Sequence, residues 1–171
     1  MMNTTTNSDI SSDQTYLSVE IFQTISKTEA LAWTRNYKVV KLETESEIYF
    51  DGKKVNGDHI LTGTYTYPNM EGTIKTVPVY KRTEPINDEH GKARYLYVEI
   101  FQTLSKYEAL ARTKDYDVVK IETGSEVYYD GKNVSGNFCL AGTYTYTTKE
   151  DRQKTVPVYI REDDYKSLMA L

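Results

Sequence analysis

The chain is written twice. YLSVEIFQTISKTEALAWT, from Tyr16, recurs as YLYVEIFQTLSKYEALART from Tyr95, 79 residues later. The match runs without a gap to Arg82 and Arg161, with 43 of 67 positions identical. Self-similarity at a fixed period restricts a chain to tandem copies of one supersecondary unit. Its 171 residues also suit two small domains. The boundaries that follow are a polar tail (1–15), repeat module 1 (16–82), a linker with a proline and a glycine (83–94), repeat module 2 (95–161) and a C-terminal tail (162–171). Two copies this alike have had little time to diverge, so a shared residue is not thereby a selected one.

Within the first copy, Leu17, Val19 and Ile21 alternate with Ser18, Glu20 and Phe22, the period of a strand. Ser26-Lys27-Thr28-Glu29, matched by Ser105-Lys106-Tyr107-Glu108, has the form of a helix capping box and predicts a short helix through Ala30, Leu31, Ala32 and Thr34. Alternation returns over residues 37–44, so strand–helix–strand predicts a parallel crossover. Asp51-Gly52 and Asn56-Gly57 read as hairpin turns, because both can supply positive φ. They bracket expected strands at 47–50, 53–55 and 60–67, with a last one at 73–82. Pro78 cannot donate to a ladder, which predicts an edge or a bulge there. The fold class expected is α+β: a tandem duplication of a β-α-β-β-β-β module, each a curled, mostly antiparallel sheet with one short helix, packed as a pseudo-twofold pair. Residues 165–171 have the pattern of a short amphipathic helix or of a frayed end.

Charge excludes the extremes. The net charge is −4, yet residues 16–82 carry +1 and residues 95–161 carry 0. The acid lies in the tails and linker. A module that grips many phosphates shows a basic surplus, and these do not. Cys139 is the only cysteine, so no intrachain disulfide forms, and a reducing compartment is expected. The N-terminal residues are polar, no run reaches the ~20 apolar residues of a membrane span, and a cytoplasmic protein is expected.

Catalytic and metal chemistry find little support. The two histidines are His90, in the linker, and His59, which Phe138 replaces in the second copy. Neither has zinc-ligand spacing or a nucleophile beside it. Cys139 aligns with Ile60 and reads as a small buried hydrophobe. Glu20, Glu43, Glu47 and Asp51 recur as Glu99, Glu122, Glu126 and Asp130, which on strands and turns are solvated positions. A hydrolase built on Glu43 or Glu47 would need a cleft and a divalent metal. No phosphate-loop pattern occurs. No enzyme, cofactor or metal is therefore expected.

The aromatic surplus is what remains, with 16 tyrosines in the chain. If a helix covers the face of Leu17, Val19, Ile21, Val40, Leu42, Ile48 and Phe50, the opposite face carries Tyr16, Glu20, Phe22, Tyr37, Lys41, Glu43, Glu47 and Tyr49, with Pro78 and Tyr80 beside them. Its counterpart holds Tyr95, Tyr97, Glu99, Phe101, Tyr116, Lys120, Glu122, Glu126, Tyr128 and Tyr159. Tyrosine mixed with charges of both signs suits a recognition surface. The same mixture suits a face packed on its twin. The expected contact residues are Tyr16, Phe22, Lys41, Tyr49, Tyr80, Tyr95, Tyr97, Phe101, Lys120, Tyr128 and Tyr159, with Tyr49 and Tyr128 central. The repeated GTYTY at Gly63 and Gly142 continues an apolar stripe and reads as scaffold. The function expected is a non-enzymatic protein-binding module or small inhibitor. The alternative is a single-stranded nucleic-acid or nucleotide binder using stacked tyrosines.

Overall fold

The computed structural model describes residues 14–83 and 89–170. They divide into two compact units, Met1–Asn87 and Asp88–Leu171, each built on a closed five-stranded barrel. The first runs β1 (Gln14–Ser26), β2 (Glu29–Trp33), β3 (Val39–Glu43), β4 (Lys54–Pro68) and β5 (Ile74–Arg82), joined side by side in the order β1-β2-β3-β5-β4. Neighbours are antiparallel except β3 and β5, whose parallel pairing sets Lys41 opposite Val79. The second repeats this order with β6 (Ala93–Ser105), β7 (Glu108–Thr113), β8 (Val118–Glu122), β9 (Asn133–Thr147) and β10 (Gln153–Arg161), then adds the helix α1 (Glu162–Met169). No helix among the described residues is long and apolar enough to cross a membrane.

The expected helix over residues 30–34 is instead β2, and over the matching residues β7. Ala30 and Ala32 point into the barrel core while Leu31 is buried on the outer side. A segment buried on both faces needs hydrogen-bonding neighbours on both sides, and β1 and β3 supply them. The capping-box chemistry survives in another role. Ser26 Oγ donates to Glu29 Oε2 (3.2 Å) and accepts from Thr28 N (3.3 Å), tightening a two-residue turn between antiparallel strands. The parallel crossover predicted for the first two strands is corrected with it, since the parallel pair is β3–β5.

Two further expectations change around β4. Asn56-Gly57 is no hairpin: β4 runs through it, with Gly57 opposite Leu17 and a φ of +146°. Arg82 takes the space a side chain would fill, because a Cβ on Gly57 would lie 2.2 Å from Arg82 Nη1. Asp51-Gly52 does turn the chain, with Gly52 at φ +89° and the Asp51 carboxylate accepting from Thr24 N (2.8 Å) and Oγ1 (2.9 Å). Residues 47–50 are no strand but a buried crossing, so alternation fails there and Tyr49 enters the core with Leu17, Val19, Ile21, Val40, Leu42 and Val55. Pro78 sits where β5 pairs with β4 just before meeting β3, beside a bulge between Leu61 and Gly63.

The crossing is fastened by ions. Glu47, with 4% of its side chain exposed, receives Arg82 Nε and Nη2 (both 3.0 Å) and faces Lys53 Nζ at 3.5 Å. Arg82 Nη1 also donates to Asn56 O (3.0 Å). Glu126, Arg161 and Lys132 repeat the arrangement more openly, with 31% of the Glu126 side chain exposed.

His59 is fully buried in β4, with Nδ1 3.0 Å from Gly57 O and Nε2 without a hydrogen-bond partner. Burial holds its pKa below the usual histidine value. The unfolded chain therefore takes up a proton below about pH 6.5 that the folded barrel refuses, and stability falls with pH by up to about 1.4 kcal/mol per unit until the folded pKa is reached. Above pH 6.5 this contribution is complete. Trp33, the single tryptophan, reports urea unfolding of the first barrel. His59→Phe, as at Phe138, should flatten the change in midpoint between about pH 7.5 and 5.5; an unaltered slope would count against this account.

In the second unit α1 docks rather than frays. Asp164 accepts from Thr123 Oγ1 (3.0 Å) and Gly124 N (2.8 Å), and the Tyr165 ring lies so near Gly91 that a Cβ there would meet it at 3.2 Å. Ala93 and Arg94, placed in the linker by the sequence, pair with Cys139 and Phe138 as the start of β6. The expected tail over 1–15 falls, apart from its last two residues, outside the described residues.

Candidate functional site

The expected contact residues divide into two groups. Tyr49 and Tyr128 are 1% and 3% exposed, core side chains rather than a surface, because the crossings that carry them do not alternate. Lys41 is 5% exposed although it points out of the barrel. The Tyr65 ring lies 4.5 Å from its ammonium, and Glu29 Oε1 (2.5 Å) and Glu43 Oε2 (3.0 Å) flank it. Burial opposes that charge, but the two carboxylates outweigh it and hold the lysine above its usual pKa. Lys120 repeats this with Tyr144, Glu108 and Glu122. Tyr159 is buried, its hydroxyl accepting from Arg94 Nη1 (3.3 Å), and Tyr80 is half-buried against the core. The middle of the outer face, at Leu31 and Lys41 and at Leu110 and Lys120, is thus covered in each barrel. Tyr16, Tyr95 and Tyr97 are exposed, and Phe22 and Phe101 are half-buried.

The open aromatic surface lies on β1 and β2. A bulge between Ile21 and Gln23 leaves Phe22 as the extra residue of β1. Bulges re-aim side chains, and Phe22 stacks on Trp33 of β2 with centroids 4.4 Å apart and planes at 28°. Across the sheet, Lys54 of β4 pairs with Glu20 of β1, which pairs with Trp33. One row along, Asn56 pairs with Ser18, whose hydroxyl donates to Asn56 Oδ1 (2.8 Å). The turn from β2 to β3 adds Thr34, Arg35 and Tyr37. With Ser18, Val19, Glu20, Trp33, Lys54 and Asn56 these turn residues line an open depression of about 460 Å³, and Phe22 reaches it only through Trp33. Glu20 is the one carboxylate in that lining, against Arg35 and Lys54.

The second barrel has the frame but different chemistry. Arg112 stands for Trp33 and lays its guanidinium 4.0 Å over Phe101, Asn133 stands for Lys54, and Tyr97 stands for Ser18 with Lys114 Nζ 5.2 Å from its ring. Sequence reasoning passed over Trp33, Arg35 and Lys54. The available signal was that the chain's only tryptophan falls where the copies differ. Among the described residues no cluster of His, Cys, Asp and Glu is arranged to hold a metal ion.

No protein family and no curated protein matches the sequence. Among solved structures, the chain is similar at 10% identity to a multidomain protein with nucleic acid binding domains from Streptococcus pneumoniae TIGR4, with a TM-score of 0.26. The match covers 88% of this chain and 47% of that one, so the chain spans less than half the length of the protein it matches.

Proposed function

We propose that the chain is a non-enzymatic binding protein whose first barrel holds a single-stranded nucleic acid on the Phe22–Trp33 platform. The observation that carries this is an exposed tryptophan, stacked from behind and set in a depression with Tyr37, Arg35 and Lys54. Stacked rings accept any base by its π-face, and cations at the rim follow the backbone. The strand order with its parallel β3–β5 closure is that of OB-type Greek-key barrels, which hold oligonucleotides or oligosaccharides on the strand 2–3 face and neighbouring loops. Here Lys41 and Leu31 are covered, which moves the usable surface to β1, β2 and the β2–β3 turn. The near-neutral modules fit weak binding with few phosphate contacts.

Because Trp33 is the only tryptophan, its emission reads this site alone. Single strands of about twelve nucleotides should quench it. With two cations engaged, log K should fall against log salt with a slope of about −1 to −2. Trp33→Ala should weaken binding roughly fivefold to a hundredfold by anisotropy. The absence of both quenching and anisotropy change at low salt would sink the reading. A protein partner is the second reading, favoured at the second barrel, where Arg112 already caps Phe101 and Asp115 and Asp117 offset Lys114.

A further inference from the structure

One turn geometry occurs four times in this chain. In the β2–β3 connection Thr34 N donates to Lys38 O (2.8 Å) and Tyr37 N to Thr34 O (2.9 Å). In β7–β8 the same pair is Thr113 N to Asp117 O and Tyr116 N to Thr113 O, both 2.9 Å. In β4–β5 it is Asn69 N to Thr73 O (2.8 Å) and Gly72 N to Asn69 O (2.9 Å). In β9–β10 it is Thr148 N to Arg152 O (2.8 Å) and Asp151 N to Thr148 O (3.0 Å). Each turn needs one residue in the left-handed region, and the occupants are Gly72 (φ +83°), Asp151 (+65°), Tyr37 (+61°) and Tyr116 (+65°).

Glycine and aspartate are the residues this position favours. Tyrosine is not, and a bulky residue there carries strain. The turn's hydrogen bonds hold the conformation, Lys38 N to Thr34 Oγ1 (3.0 Å) and Asp117 N to Thr113 Oγ1 (3.1 Å) among them, but burial of the rings contributes nothing, with Tyr37 82% exposed and Tyr116 81% exposed. The surrounding turn has meanwhile changed between the copies: Arg35, Asn36 and Lys38 stand where the second has Lys114, Asp115 and Asp117. Tyr37 also lines the depression beside Trp33. A strained, exposed ring gains its return only when something covers it.

We propose that Tyr37 is a ligand-contact residue that holds its ring at the hairpin tip to stack on a base of an incoming single strand. The ligand class rests on the reading of the Trp33 platform; the assignment of this ring does not follow from it. Labelled single-stranded DNA of about twelve nucleotides, titrated into the full chain, tests it with thermal unfolding measured alongside. Tyr37→Asn relieves the strain and removes the ring. It should weaken binding roughly fivefold to a hundredfold while the melting temperature holds or rises. Tyr37→Phe should keep the affinity. Tyr116→Asn, between Asp115 and Asp117 on the other barrel, and Asp151→Asn, in the same turn without a ring, should leave it unchanged. A Tyr37→Asn variant that binds as tightly as the wild type overturns this assignment and leaves the platform standing. One that melts earlier makes the ring structural and overturns it equally. A wild type that binds no strand at low salt overturns both.

Discussion

Glu47→Ala is expected to destabilise the first barrel by about 3–5 kcal/mol, the cost of breaking a buried ion pair from one side. The carboxylate is 4% exposed and faces two cations, Arg82 at 3.0 Å and Lys53 at 3.5 Å, themselves 12% and 11% exposed. Removing it withdraws the buried carboxylate that both cations face and unties the crossing that brings Tyr49 into the core. The matching Glu126→Ala should cost less, because its group is 31% exposed and the cations are 20% and 23% exposed, so water replaces the lost partner. Urea unfolding followed by Trp33 emission measures the first variant, and calorimetry of the full chain measures the second. Equal losses at the two sites, or a loss under about 1 kcal/mol at Glu47, would show that burial of this cluster is not what fastens the crossing.

Gly57→Ala should be nearly as damaging, at about 2–4 kcal/mol. Two costs coincide. The backbone at φ +146° is one that residues with a side chain rarely adopt, and the new Cβ would lie 2.2 Å from Arg82 Nη1. The guanidinium must then leave Asn56 O or Glu47. Gly136→Ala repeats the conflict, with its Cβ 2.6 Å from Arg161 Nη1. Gly52→Ala separates the causes: φ is +89° but nothing lies within 4 Å, so only backbone strain of about 1–2 kcal/mol applies. A Gly57 variant no weaker than the Gly52 variant would remove Arg82 from the explanation.

The repeat, most strand positions and the core stripe of Leu17, Val19, Ile21, Val40 and Leu42 were legible because period-two alternation is a local signal. What was not legible depended on contacts distant in sequence. The capping-box tetrad makes the same Ser26–Glu29 bond in a helix or in a tight turn, and only pairing of β2 with both β1 and β3 decides between them. Asn56-Gly57 resembles a hairpin until Arg82, 25 residues on, is seen to need the space. Tyr49 lies in the core because the segment that carries it is no strand, so alternation does not extend across it. Lys41 does face outward, but Tyr65 covers it, and sequence spacing does not reveal a ring laid across the sheet. At the candidate site Phe22 is turned outward by a bulge and Tyr37 sits in the turn before β3, not on the strand expected over 37–44, and Trp33 stands opposite an arginine in the other copy and so belongs to no shared pattern.

Closure by a parallel pair has a consequence for how each ring is assembled. The strands that complete the two barrels share the hexapeptide KTVPVY, and they meet their partners in the same register, Lys41 with Val79 and Lys120 with Val158. In a chain released from denaturant, either closing strand carries much of the complementarity that either open ring requires. Strand exchange between copies is a characteristic hazard of such repeats. Synthesis from the N-terminus removes the ambiguity, because β5 emerges and completes the first ring before β10 exists. Where the closing strand meets β4 or β9 the copies differ at His59 against Phe138, Ile60 against Cys139 and Lys81 against Ile160, and a helix follows β10 and docks through Asp164. These differences bias each ring toward its own last strand.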